Sequence, residues 1–202
     1  MAFVLKSNLP RLSRESYQGR SIVFWTHSFE GRATGWLHDR FHQCFREVLL
    51  HAGGRYALAS PIYVLMPDHW HLVWMGWAES SDQWLANRFL RKHLATELRV
   101  GALQDRAYDH VLRNEECGRN AFMAACHYVR ENPVRAGLVT SGQDWPYLGA
   151  MVPGYPGIDP RRSDFWDHYW KLFNRLVEST EPSRLSRAGL QGTNSRTIIS
   201  TK

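Results

Sequence analysis

The chain has 202 residues, 44% hydrophobic and 22% charged, which excludes a disordered polypeptide and suits one large domain with extensions. Lysine and arginine exceed aspartate and glutamate by 25 − 19 = 6, and the isoelectric point is about 9.5, a balance that favours a polyanionic partner. Cys44, Cys117 and Cys126 are widely spaced and form no Cys-x-x-Cys pair, which argues against a disulfide framework or a zinc knuckle and fits a reducing cytoplasm.

Residues 1–14 read as an N-terminal arm. Its apolar patches are broken by Lys6, Pro10 and Arg11, so neither a secretory signal nor a membrane span is expected. Arg20 to Ser28 is rich in β-formers and predicts a first strand. Thr34 can cap a helix through about Ala52, with Leu37, Phe41, Cys44, Phe45, Val48 and Leu49 at helical spacing and Gly53-Gly54 as its stop. Tyr56 to Met66 predicts a second strand, Pro67-Asp68 breaks the run, and His69 to Gly76 predicts a third. Asp82 can cap a second helix to about Val100, with Leu85, Phe89, Leu94 and Leu98 on its apolar side. Tyr108 to Arg113 is a short fourth strand. Asn120 can cap a third helix, ended by Pro133.

The order β-α-β-β-α-β-α predicts an α+β, ferredoxin-like fold: an antiparallel sheet with helices on one face, over residues 15–150. Trp145 to Gly157 is rich in glycine and proline and reads as an irregular loop. Asp164 to Val177 can form one more helix, so a C-terminal loop and helix occupy 151–180. Residues 181–202 read as a flexible basic tail.

Two motifs carry chemistry. In His69-Trp70-His71, strand geometry sends both imidazoles to one face of a sheet and Trp70 to the other. Two neutral imidazoles on a rigid strand are most of a metal site, although a lone His-x-His is more often ordinary packing. On the third helix, Tyr128 and Asn132 stand four residues apart on one face. If that face meets the histidine strand, two imidazoles and an amide oxygen converge beside a phenol. Such a nitrogen and oxygen set suits Mg²⁺ or Mn²⁺, with Zn²⁺ hard to exclude. The metal would polarise a phosphate and the phenol would act as nucleophile. Tyr128 is equally compatible with a packed helix tyrosine, and Asn132 with a plain helix end. His110 and His127 lack matching spacing and read as structural or DNA-facing.

Met66-Pro-Asp-His-Trp-His-Leu72 and His127-Tyr-Val-Arg-Glu-Asn-Pro-Val-Arg-Ala-Gly-Leu-Val139 resemble segments of the REP-associated tyrosine transposases, relatives of the IS200/IS605 transposases within the HUH endonucleases. Trp145-Pro-Tyr-Leu148 resembles a further segment of that family. The resemblance covers about residues 15–150. It implies a single-strand DNA endonuclease and strand transferase that passes through a 5′-phosphotyrosine link. Tyr128 would be the nucleophile, and His69, His71 and Asn132 the ligands of Mg²⁺ or Mn²⁺. The implied substrate is single-stranded or hairpin DNA from repeated extragenic palindromes. The implied setting is the cytoplasm, at the nucleoid, with no membrane partner, and the active species is a monomer or a homodimer.

Arg88, Arg91, Lys92, Arg130 and Arg135 are the candidate DNA contacts, with Trp74, Trp77 and Trp84 as neighbouring platforms for unpaired bases. A solvated helix face is the competing reading of these cations. Two other functions stay open at this point. One is a non-catalytic, domesticated hairpin-binding regulator, which would not need Tyr128, His69, His71 and Asn132 together. The other is a hydrolase using metal-bound water, which would leave no covalent protein–DNA species.

Overall fold

Alternation of side chains along the strands decides the architecture. In the computed structural model, which describes residues 12–98, 101–112 and 119–180, the elements are β1 (Ile22–Ser28), α1 (Asp39–Tyr56), β2 (Leu58–Met66), β3 (His69–Gly76), α2 (Gln83–Ala95), β4 (Tyr108–Leu112), α3 (Arg119–Arg130), α4 (Asn132–Arg135), β5 (Leu148–Met151) and α5 (Phe165–Thr180). The tail over 181–202, most of the arm over 1–14, Cys117 and the capping side chain of Asn120 lie outside the described residues. The five strands run β4-β1-β3-β2-β5, each pair antiparallel. Strands β1 to β4 with α1 and α2 form the expected ferredoxin-like unit. The pairing of β2 with β3, left open by the sequence, is a hairpin across Pro67-Asp68.

Each face of the sheet has its own core. Val23 and Trp25 of β1 and Trp70, Leu72 and Trp74 of β3 pack with Phe41, Phe45 and Leu49 of α1 and Ala86, Leu90 and Leu94 of α2. Phe24, Val64, Val73 and Met75 point the other way, against Phe122, Ala125, Cys126 and Val129 of α3 and Phe165, Tyr169 and Phe173 of α5. The helices of the repeat thus share one face, as expected. The tyrosine-bearing helix and the C-terminal helix cover the second. Phe122 meets Trp166 and Trp170 at ring-centre distances of 5.7 and 5.6 Å, so α5 holds the first half of α3 onto the sheet.

Several boundaries differ from expectation, α2 among them, which ends at Ala95 and not near Val100. α1 begins at Asp39, because the ring of His38, not Thr34, accepts the first free amide, from Phe41 at 3.2 Å. Gly53-Gly54 does not stop it. A Cβ at Gly53 would lie 2.7 Å from the Leu58 carbonyl, so this glycine permits close packing of the last turn. The helix ends at Ala57, left-handed at φ 53°. Residues 148–151, read as loop, form β5 against β2: Gly149 sits opposite Tyr63, whose phenol occupies the space a side chain would need. Pro133 does not end α3 directly. Glu131 breaks the helix at φ −86°, ψ 0°, and Pro133 sits in the first turn of α4.

Trp70 is fully buried between the two histidines' positions, with Trp36 and Phe45 each 5.7 Å from its ring and His27 stacked at 5.1 Å. Among the described residues its indole N–H has no hydrogen-bond partner. Trp70→Ala is expected to cost about 3–5 kcal/mol. Trp70→Phe should cost much less, because it also removes an unpaired buried donor. Chemical denaturation of both variants checks this; equal losses would contradict it.

Candidate active site

The pleat of β3 brings two imidazoles together. His69 and His71 point to the face covered by α3, and their Nε2 atoms are 3.0 Å apart. Each ring is held from behind. His69 Nδ1 donates to the Asp68 carboxylate at 2.6 Å, and Asp68 also pairs with Arg32 at 2.6 Å. His71 Nδ1 lies 2.8 Å from the hydroxyl of Thr26, its cross-strand partner on β1. A hydroxyl can donate or accept, so Thr26 accommodates either tautomer of His71. These outer contacts orient the rings so that their Nε2 atoms meet in a hydrogen bond.

The break after α3 supplies the remaining groups. The Tyr128 ring stands 5.8 Å from His71 and 5.9 Å from Phe24, edge-on to both. The Asn132 amide nitrogen donates to the Tyr128 carbonyl at 2.8 Å, and the same side chain is a hydrogen-bond partner of His71. The guanidinium of Arg135 lies over the Tyr128 ring, 4.7 Å from its centre. The end of α3 and the turn of α4 thus place a phenol and an amide beside His71 and a cation over the phenol.

Burial sets the protonation. His71 is held well below the ordinary imidazole pKa, first by burial and then by the neighbouring His69, with Asn132 opposing. His69 is also lowered by burial, against the pull of Asp68. Both rings are therefore neutral near pH 7. Two nitrogens bound to one ion at about 2.1 Å and at right angles lie about 3 Å apart, so the observed separation fits a shared cation. Among the described residues no cluster of three His, Cys, Asp or Glu side chains forms a metal cage. Two imidazoles and one amide could hold a cation and would leave positions for substrate and water.

The expected DNA contacts divide between two faces. Arg88 and Lys92 are exposed on α2, which packs against the face of the sheet turned away from His69 and His71. Arg91, on the same helix, donates to the Gln104 carbonyl at 2.6 Å and is half-buried. Arg130 and Arg135 lie on the α3 side, Arg130 paired with Glu131 at 3.1 Å. Trp74 and Trp77 are core residues, so they cannot serve as stacking platforms; Trp84 is half-buried against Tyr17. The single groove expected from sequence is not assembled. His127 is exposed, and His110 is half-buried on β4 opposite Phe24. Sequence reading missed Thr26, Asp68 and Arg32 as supports of the histidines. Asp68 had a signal, its adjacency to His69. Thr26 had one only through the register of β1 with β3.

Two histidines outside the pair report on folding. Burial lowers His27 to about 3 and His42 to about 4 from the ordinary 6.5. Below pH 6.5 the unfolded chain takes up protons there that the folded chain refuses, so stability falls as pH drops from about 6.5 towards 4. For His27 the slope is about 1.4 kcal/mol per pH unit near pH 5. His27→Gln should remove about that much slope in denaturation series between pH 5 and 7, and an unchanged slope would contradict it.

No family model matches this chain. A curated protein of Haemophilus influenzae, named "Putative REP-associated tyrosine transposase", is 26% identical over an alignment of 151 residues that covers 66% of this chain and 82% of that protein. A solved structure of a REP-associated tyrosine transposase bound to a REP hairpin matches with a TM-score of 0.58 at 23% identity, covering 71% of this chain and 82% of the other. At that identity the structural likeness carries the fold. In sequence this chain is similar to that curated protein, and in fold it is similar to the solved transposase structure.

Proposed function

We propose that this protein is a metal-dependent endonuclease and strand transferase for single-stranded hairpin DNA of the REP type, with Tyr128 as nucleophile. The observation that carries the reading is the convergence of Tyr128, His71, His69 and Asn132 within one turn of α3–α4 and one strand. The name of the Haemophilus relative and the hairpin held by the solved neighbour support it.

In the proposed reaction the Tyr128 oxygen attacks a phosphodiester phosphorus. The phenol proton passes to solvent, the bond to the 3′-oxygen breaks, and that oxygen takes up a proton. The product is a 5′-phosphotyrosine and a free 3′-hydroxyl. Because the phosphodiester energy is kept in the new bond, another 3′-hydroxyl can reverse the step and join strands. A cation held by His69, His71 and Asn132 would draw charge from the phosphate oxygens. Asp68 and Thr26 fix the two rings that hold it. Phe24 and His71 fix the phenol ring edge-on. Arg130 is a candidate phosphate contact beside the site, and exposed Arg88 and Lys92 offer a second basic surface for the hairpin stem. No helix among the described residues is long and apolar enough to cross a membrane.

The test is a labelled single-stranded hairpin incubated with Mn²⁺ or Mg²⁺. Wild type should cut it and form an adduct that survives denaturant. Tyr128→Phe should lower cleavage on the order of 10³-fold or more and abolish the adduct, as should EDTA. Cleavage that survives Tyr128→Phe would indicate hydrolysis by metal-bound water, and binding without cutting would indicate a regulatory hairpin binder. Asp68→Asn is expected to raise the Mn²⁺ concentration for half-maximal cleavage by about 10–100-fold. An unchanged Mn²⁺ requirement would remove Asp68 from the site.

A further inference from the structure

The arginines around the site are mostly committed. Arg32 is paired with Asp68 and Arg130 with Glu131. Arg135 differs. Among the described residues its guanidinium has no carboxylate or carbonyl partner; its contact is the face of the Tyr128 ring, 4.7 Å from the centre. The side chain is exposed, so its five N–H groups are open to an incoming anion.

The backbone aims it there. Glu131 ends α3, and the α4 turn folds back with buried Pro133 as its anchor. The Arg135 amide donates to the Glu131 carbonyl at 2.9 Å, and the Ala136 amide to the Asn132 carbonyl at 2.9 Å. This turn carries Asn132 towards His71 and Arg135 over the phenol. A planar guanidinium stacked on the ring stands one side chain away from whatever phosphorus that phenol attacks. Stacking also limits its rotamers, so little freedom is lost on binding a phosphate.

From this geometry, and resting on the tyrosine reading above, we infer that Arg135 is a catalytic residue that takes the scissile phosphate. It binds the non-bridging oxygens as the phenol oxygen bonds to phosphorus and the 3′-oxygen leaves. It then stays on the phosphate of the phosphotyrosine. Its contribution grows as negative charge gathers on those oxygens, so it acts on the rate more than on hairpin affinity. A cation that only follows the DNA backbone would do the reverse.

The test compares wild type, Arg135→Gln, Arg135→Lys and Tyr128→Phe on one hairpin substrate. Readouts are single-turnover adduct formation with Mn²⁺ and hairpin affinity without metal. Arg135→Gln should slow adduct formation by about 100-fold or more. Its affinity should fall by less than about 3-fold, the loss of one phosphate contact. Arg135→Lys should be faster than Arg135→Gln yet slower than wild type, because it keeps the charge and loses the planar fork that lies over the ring. Three results would overturn the proposal: Arg135→Gln close to wild-type rate, Arg135→Lys no faster than Arg135→Gln, or affinity falling in step with rate. The first assigns Arg135 no role in the step, the second a ring-holding role, and the third a general DNA contact. If wild type forms no adduct, or Tyr128→Phe forms one, the tyrosine reading itself fails. An adduct in wild type with a full-rate Arg135→Gln removes the Arg135 assignment alone.

Discussion

The site depends on the two-residue alternation of β3. Trp70 enters the α1–α2 core, and that commitment fixes the direction of its neighbours. A one-residue slip of the strand would turn the imidazoles of His69 and His71 into the α1–α2 core and the indole of Trp70 towards α3. Aromatic packing around Trp70, from Trp36, Phe41, Phe45 and Phe29, opposes such a slip. The antiparallel pairing with β1 then sets Thr26 opposite His71, and pairing with β2 sets Val64 on its other side. The chemistry-bearing face is the consequence of how well the other face is packed.

The same burial that stabilises the sheet prepares the histidines. Removed from water, imidazoles resist protonation, and each outer contact orients a ring without charging it. Asp68 is itself shared with Arg32, which offsets its charge beside His69. Rigidity continues on the tyrosine side. Phe122, Cys126 and Val129 bury one side of α3, and Trp166 and Trp170 of α5 close over its start. Tyr128 therefore projects from a helix held both by the sheet and by the C-terminal helix. Trp145 and Tyr147 extend this hold: the Trp145 indole donates to the Leu65 carbonyl at 2.8 Å, and Arg161 draws the Trp145 carbonyl to 2.6 Å.

Local rules made much of this legible. The His-x-His strand, the Asp82 cap and the four-residue spacing of Tyr128 and Asn132 all follow from short-range periodicity, and each has its place in the structure. What was hidden depends on contacts between distant segments. Gly53 and Gly149 read as breakers, yet each marks close approach of two elements, which only tertiary packing reveals. Trp74 and Trp77 read as stacking surfaces because an apolar count does not say which face an aromatic occupies. The cations of α2 and α3 read as one groove, because sequence does not show that the two helices lie on opposite faces of the sheet. Thr26 and Arg32 entered only through register and a loop contact.

The central claim is that Tyr128 becomes covalently joined to DNA. The most direct measurement is peptide mapping by mass spectrometry of the adduct formed with a cleaved hairpin. The account predicts one modified peptide, carrying a nucleotide through its 5′-phosphate on Tyr128. A modification mapped to another residue, such as the neighbouring Tyr108, or a product ending in a free 5′-phosphate with no modified peptide, would contradict it.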